Sequence, residues 1–74
     1  MNDICLDPIG NLSARERQVF YELCAGGKNR EIGARLHISP RTVETHRSRI
    51  LKKLCLKNVV ELVKFAIRNS MVMP

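Results

Sequence analysis

Residues 29–54, NREIGARLHISPRTVETHRSRILKKL, constrain the fold of this chain more than any other stretch. Ser39-Pro40 divides the run. Inside a helix, proline forfeits a hydrogen bond and clashes with the preceding turn; at the first helical position its missing N–H costs nothing. A helix therefore starts at Pro40, capped by Ser39, and continues to about Leu54. Upstream, Ile32 and Leu36 share a helical face, so a shorter helix opens near Asn29 and closes before His37. Asn29 is read as its cap, with Glu31 in the positive first turn. Only His37, Ile38 and Ser39 remain between the two helices, and Ile38 is expected to point inward and pin them together. Two helices joined by so tight a turn form a unit whose second helix can lie in the major groove of DNA.

Two more helices flank this unit. Ser13 followed by Glu16 is the pattern of a capping box, in which serine and glutamate each satisfy the other's backbone amide. Helix 1 then runs to about Ala25, with Val19, Phe20, Leu23 and Cys24 on its buried face and Gly26-Gly27 as its stop. Lys57-Asn58 breaks the pattern after helix 3, and Asn58 with Glu61 opens helix 4, from Val59 to about Asn69. Residues 1–11 contain Asp7, Pro8, Gly10 and Asn11 without periodicity and read as a flexible arm or linker. The folded unit, 12–74, is expected to begin at Leu12 and to be all-α with four helices.

A chain of 74 residues supports one small domain with a thin core, and a deep catalytic cavity would compete with that core. The aromatics are Phe20, Tyr21 and Phe65, too few to stack on unpaired bases. Thirteen Lys and Arg against seven Asp and Glu give +6. The sequence pI near 9.8 is that of a nucleic-acid binder, although charge alone does not separate this from a merely soluble basic protein. Cys5, Cys24 and Cys55 show no metal-ligand spacing, and His37 and His46 do not complete a set, so no metal or cofactor is expected. Cys24 fits a small core position, and free thiols suit a reducing cytosol. No apolar run is long enough to span a membrane and no signal peptide opens the chain, so a cytoplasmic, soluble protein is expected.

The placement of charge decides between the two readings. On a helical wheel Val43, Ile50 and Leu54 of helix 3 form a narrow apolar stripe flanked by His46 and Arg47. The opposite side carries Arg41, Glu44, Thr45, Ser48, Arg49 and Lys52. Short polar groups let a helix backbone approach base edges, and cations at the margins meet phosphates. Arg41, Arg49, Lys52 and Lys53 are candidates for phosphate, with Arg41 also able to reach a guanine. Glu44 either accepts from a base amino group, usually cytosine N4, or pairs with a neighbouring cation in solvent. Thr45 can offer its methyl to thymine; the plain alternative for Thr45 and Ser48 is polar helix surface. His46 has no nucleophile or second histidine to work with, so it packs at the core edge and donates to a phosphate or carbonyl rather than acting in catalysis. Lys28, Asn29 and Arg30 bring positive charge and free N–H groups to the start of helix 2, where a phosphate can bind.

Helix 4 is apolar over an arc of roughly 220°, more than one core contact requires. One edge packs on the domain; the other, Val59, Val60, Val63 and Ile67, needs a second partner. A two-fold helix pair would set two recognition helices about one DNA turn apart. The alternative is that the tail Met71-Val72-Met73 covers this edge.

From Leu12 to about Val72 the chain resembles the LuxR-type DNA-binding domain, the effector domain of NarL/FixJ-class response regulators and quorum-sensing activators. The resemblance is carried by LSARERQVF, GGKNREIGARLHIS, NVVELVKFAI and above all SPRTVETHRSRILKKL. It implies a four-helix helix-turn-helix domain whose third helix enters the major groove and whose fourth supports dimerisation. It also implies base-facing positions for Glu44, Thr45 and Ser48, with Thr42, His46 and nearby cations at the backbone. His37 stands where glycine is frequent, which points to backbone strain. Gly33 stands where alanine is usual, which would loosen helix 2 by up to about 1 kcal/mol. Val59 replaces a commonly polar residue. No receiver or ligand domain is present, so the chain is either an excised effector domain or a stand-alone member, and the N-terminal arm favours excision.

The leading reading is a non-enzymatic, cytoplasmic transcriptional regulator that binds duplex DNA as a homodimer, with RNA polymerase as a further candidate partner. The runner-up is a module like region 4 of a sigma factor, which works as part of RNA polymerase. The helix 3 run and the apolar helix 4 edge favour the first. No nucleophile–base set, metal cluster or glycine-rich phosphate loop supports an enzyme.

Overall fold

Short turns connect four helices, α1 (Ala14–Cys24), α2 (Asn29–Leu36), α3 (Pro40–Lys53) and α4 (Val59–Arg68), in a computed structural model that describes residues 8–70. No strand occurs among the described residues. The helix starts follow from side chains that satisfy the first free amides. Ser13 Oγ accepts from the Glu16 N–H at 3.1 Å, and Glu16 Oε1 accepts from the Ser13 N–H at 2.9 Å, closing the capping box of α1. Ser39 Oγ accepts from the Thr42 N–H at 3.1 Å, with Pro40 in the first turn of α3. Asn58 Oδ1 accepts from the Glu61 N–H at 2.9 Å to open α4; the Glu61 carboxylate reaches past the cap to the Lys57 N–H at 2.8 Å. Helix α2 departs from expectation. Its cap position is Lys28, and Asn29 is already helical. A lysine side chain offers no acceptor, so help comes from Glu31 Oε1, which accepts from the Lys28 N–H at 3.0 Å.

All four helices are followed by a residue in the left-handed region: Gly26 at φ 87°, His37 at 59°, Cys55 at 59° and Ser70 at 57°. Bonds from Gly27 N–H to the Glu22 carbonyl (3.0 Å), Ile38 N–H to Gly33 (2.9 Å) and Leu56 N–H to Leu51 (2.8 Å) complete Schellman closures after α1, α2 and α3. Only the first uses glycine. The strain expected at His37 is therefore present, because a Cβ in this conformation costs about 1–2 kcal/mol. Gly33 takes on a different meaning. A Cβ there would lie 2.5 Å from the Ile38 carbonyl oxygen, so the residue expected to loosen α2 is what lets the turn close against it.

Val19, Phe20 and Leu23 from α1, Ile32 from α2, Val43 and Ile50 from α3, and Leu62 and Ala66 from α4 form the core, with Ile38 and Cys24 packed at its margin. Helix α3 rests on α1 and α2, and α4 rests on α1. Phe20 meets Phe65 edge-on at 6.3 Å between ring centroids. The arm boundary is corrected at Ile9. That side chain is 2% exposed within the core, and its carbonyl accepts from the Leu12 N–H at 3.0 Å, so the folded unit reaches upstream of Leu12. Residues 1–7, with Cys5, and the tail Met71-Val72-Met73 lie outside the described residues.

Candidate nucleic-acid interface

Helix α3 is anchored by Val43 and Ile50, both fully buried, with Leu51 and Leu54 half-buried beside them. This anchoring turns Arg41, Glu44, Thr45, Ser48, Arg49 and Lys52 outward, and all six are exposed. The residues expected at bases thus share one solvent-facing side with two of the phosphate candidates. His46 and Arg47 border the core, half-buried, as the wheel indicates. Arg41, Arg49 and Lys52 make no ion pair among the described residues, so their charge is free to act outward. Lys28 and Arg30 are exposed at the start of α2.

Hydrogen bonds refine several of these assignments. Thr45 Oγ1 donates to the Arg41 carbonyl at 3.2 Å, which commits the hydroxyl to the helix backbone and leaves the methyl as its outward chemistry. Thr42 Oγ1 shares a 2.9 Å hydrogen bond with Ser39 Oγ, so its hydroxyl belongs to the α3 cap. Glu44 has a partner, but not the cation weighed from sequence. Its Oε2 accepts from Asn29 Nδ2 at 3.3 Å, across the angle between α2 and α3. The Nδ1 of His46 is buried without a hydrogen-bond partner among the described residues. A buried acceptor tolerates this better than a buried N–H, which favours hydrogen on Nε2.

Lys53, expected at a phosphate, has a partner within the protein. Its Nζ lies 2.8 Å from Oε1 of Glu16, a carboxylate 5% exposed, and so its charge is neutralised against α1. The Lys53 ammonium holds the Glu16 carboxyl below its usual 4.5, helped by the Ser13 backbone N–H, while burial pulls the other way. Sequence reasoning identified Glu16 as half of a capping box and missed this pairing.

On α4, Val60 is 64% exposed and Ile67 37%, with Val59 and Val63 half-buried between them and the core. Elsewhere, burial pushes the Cys24 thiol up to about 11. No three His, Cys, Asp or Glu converge among the described residues, and no helix there is long and apolar enough to cross a membrane.

Residues 10–66 match the family described as bacterial regulatory proteins, luxR family. Among curated proteins, the transcriptional regulatory protein TdiR of Thauera aromatica is 43% identical over 65 residues, which cover 88% of this chain and 29% of TdiR. The transcriptional regulatory protein FixJ of Bradyrhizobium diazoefficiens is 41% identical over 63 residues, 85% of this chain and 31% of FixJ. The oxygen regulatory protein NreC of Staphylococcus carnosus is 38% identical over 65 residues, 88% of this chain and 30% of NreC. The crystal structure of full-length FixJ from B. japonicum superposes with a TM-score of 0.82 at 40% identity, covering 88% of this chain and 32% of that one. The chain spans less than a third of each of these curated relatives. With the α2–turn–α3 pair inside the matched segment and the whole four-helix arrangement superposing on a relative, this chain belongs to the luxR family of bacterial regulatory proteins.

Proposed function

We propose that this chain is the DNA-binding part of a transcriptional regulator and reads duplex DNA with α3 in the major groove. The observation that carries the reading is the outward side of α3, where short polar side chains and unpaired cations are exposed together on a helix fixed by its buried opposite side. Arg41, Glu44, Thr45 and Ser48 face base edges. Lys28, Arg30, Arg49 and Lys52 meet phosphates, joined by His46 and by the capped start of α3 around Thr42. Lys53 is left out because it serves Glu16. The similarity to TdiR and FixJ, both transcriptional regulatory proteins, supports the same reading.

The outer apolar edge of α4, formed by Val59, Val60, Val63 and Ile67, pairs two copies of the chain, so that two α3 helices address half-sites about one DNA turn apart. The test is selection of bound duplexes from a random pool, without RNA polymerase, followed by titration at several salt concentrations. An enriched palindrome and a steep salt dependence are expected. Binding that required polymerase would favour a sigma-like module, and equal affinity for every sequence would remove base reading.

A further inference from the structure

We infer that Asn29 is a specificity-determining residue that acts through Glu44, aiming its carboxylate so that α3 selects cytosine at one position of the bound duplex; the inference rests on the DNA-reading role proposed for α3. A carboxylate on a groove-facing helix surrounded by phosphates is repelled unless it meets a donor, and a free glutamate spreads over many rotamers. Glu44 is exposed on α3 and is not left to spread. Asn29, half-buried at the first position of α2, donates Nδ2–H to Glu44 Oε2 at 3.3 Å.

The choice of an amide matters. A lysine or arginine partner would cancel the carboxylate charge, whereas a neutral amide orients it and leaves it a full acceptor. One oxygen is held, and Oε1 with its lone pairs remains for the groove. That group accepts only, so it is repelled by guanine N7 and O6 and by thymine O4. Adenine offers N6 but sets N7, another acceptor, beside it. Cytosine N4 is the amino donor without that neighbour. Asn29 spends one of its two amide hydrogens on Glu44.

The test is a double-mutant cycle on the full chain: wild type, Asn29→Ala, Glu44→Ala and the double variant, titrated against duplexes that differ only at the selected cytosine. Glu44→Ala is expected to abolish the preference at that pair. Asn29→Ala is expected to reduce it about tenfold while leaving the other positions unchanged, and to have no further effect once Glu44 is gone. Asn29→Asp, which sets a like charge against Glu44, is expected to lose the same preference. A uniform loss for Asn29→Ala on all duplexes, additive with Glu44→Ala, would mean a phosphate contact and overturn the assignment. Failure of the wild type to bind any duplex would overturn the DNA-reading role, and this assignment with it.

Discussion

Glu16 Oε1 and Lys53 Nζ lie 2.8 Å apart and tie the start of α1 to the end of α3. The same carboxylate oxygen closes the α1 capping box on the Ser13 N–H, so one side chain serves a helix terminus and the contact to α3 together. Lys53→Ala is expected to cost about 1–3 kcal/mol, because it leaves a buried acceptor short of its partner. Thermal melts measure that loss. The slope of log affinity against log salt should be unchanged, whereas a phosphate contact would lower it.

The pH dependence follows from the same pair. The folded-state pKa of Glu16 is depressed below the usual 4.5, so its stabilising contribution is fully present above that value and is lost as pH falls through the folded value. Melting temperature should therefore drop below about pH 4.5 in the wild type. In Glu16→Gln that drop should be smaller, from a lower starting stability.

Replacing the left-handed residues that follow α2 and α3 should stabilise the domain. His37→Gly and Cys55→Gly each remove a Cβ from a backbone at φ 59°. A gain of about 1 kcal/mol apiece, read as roughly 4–8 °C in Tm, is expected. No gain at His37 would mean that its side chain makes a compensating contact.

Gly33→Val should do the reverse. With its Cβ 2.5 Å from the Ile38 carbonyl oxygen, the added side chain must push the turn away from α2, at a cost of about 3 kcal/mol or a displaced α3. Chemical denaturation and the amide spectrum of residues 33–45 would report which.

On the interface, Arg49→Ala or Lys52→Ala should weaken binding to every duplex and lower the salt slope by about 0.9 per lost phosphate contact. Thr45→Ala should shift base preference more than total affinity, since its hydroxyl is already bonded to the Arg41 carbonyl. Val60→Asp should abolish pairing through α4. Sedimentation showing an unchanged dimer would move the pairing surface elsewhere.

The features legible in the sequence are those set by local backbone chemistry. Ser13 with Glu16, Ser39 with Pro40, and Gly26 each mark a helix end where only certain side chains satisfy the free amides or accept the dihedral angles. The stripe of Val43 and Ile50 fixes the outward side of α3, because periodicity determines which side chains share a face. Polar pairings between distant segments had no such signature. Glu16 and Lys53 are 37 positions apart, and Asn29 and Glu44 are 15. Nothing in either neighbourhood announces the other, and Asn29 resembled a helix cap because asparagine ordinarily is one. Ile9 escaped for a related reason: a lone isoleucine between proline and glycine carries no period.

That isoleucine bears on how the domain can be cut free. The family match begins at residue 10, so a fragment trimmed to it would discard a side chain that plugs the protein interior. In so small a domain, emptying that socket would cost about 2–5 kcal/mol, enough to separate a stable reagent from one that precipitates on warming.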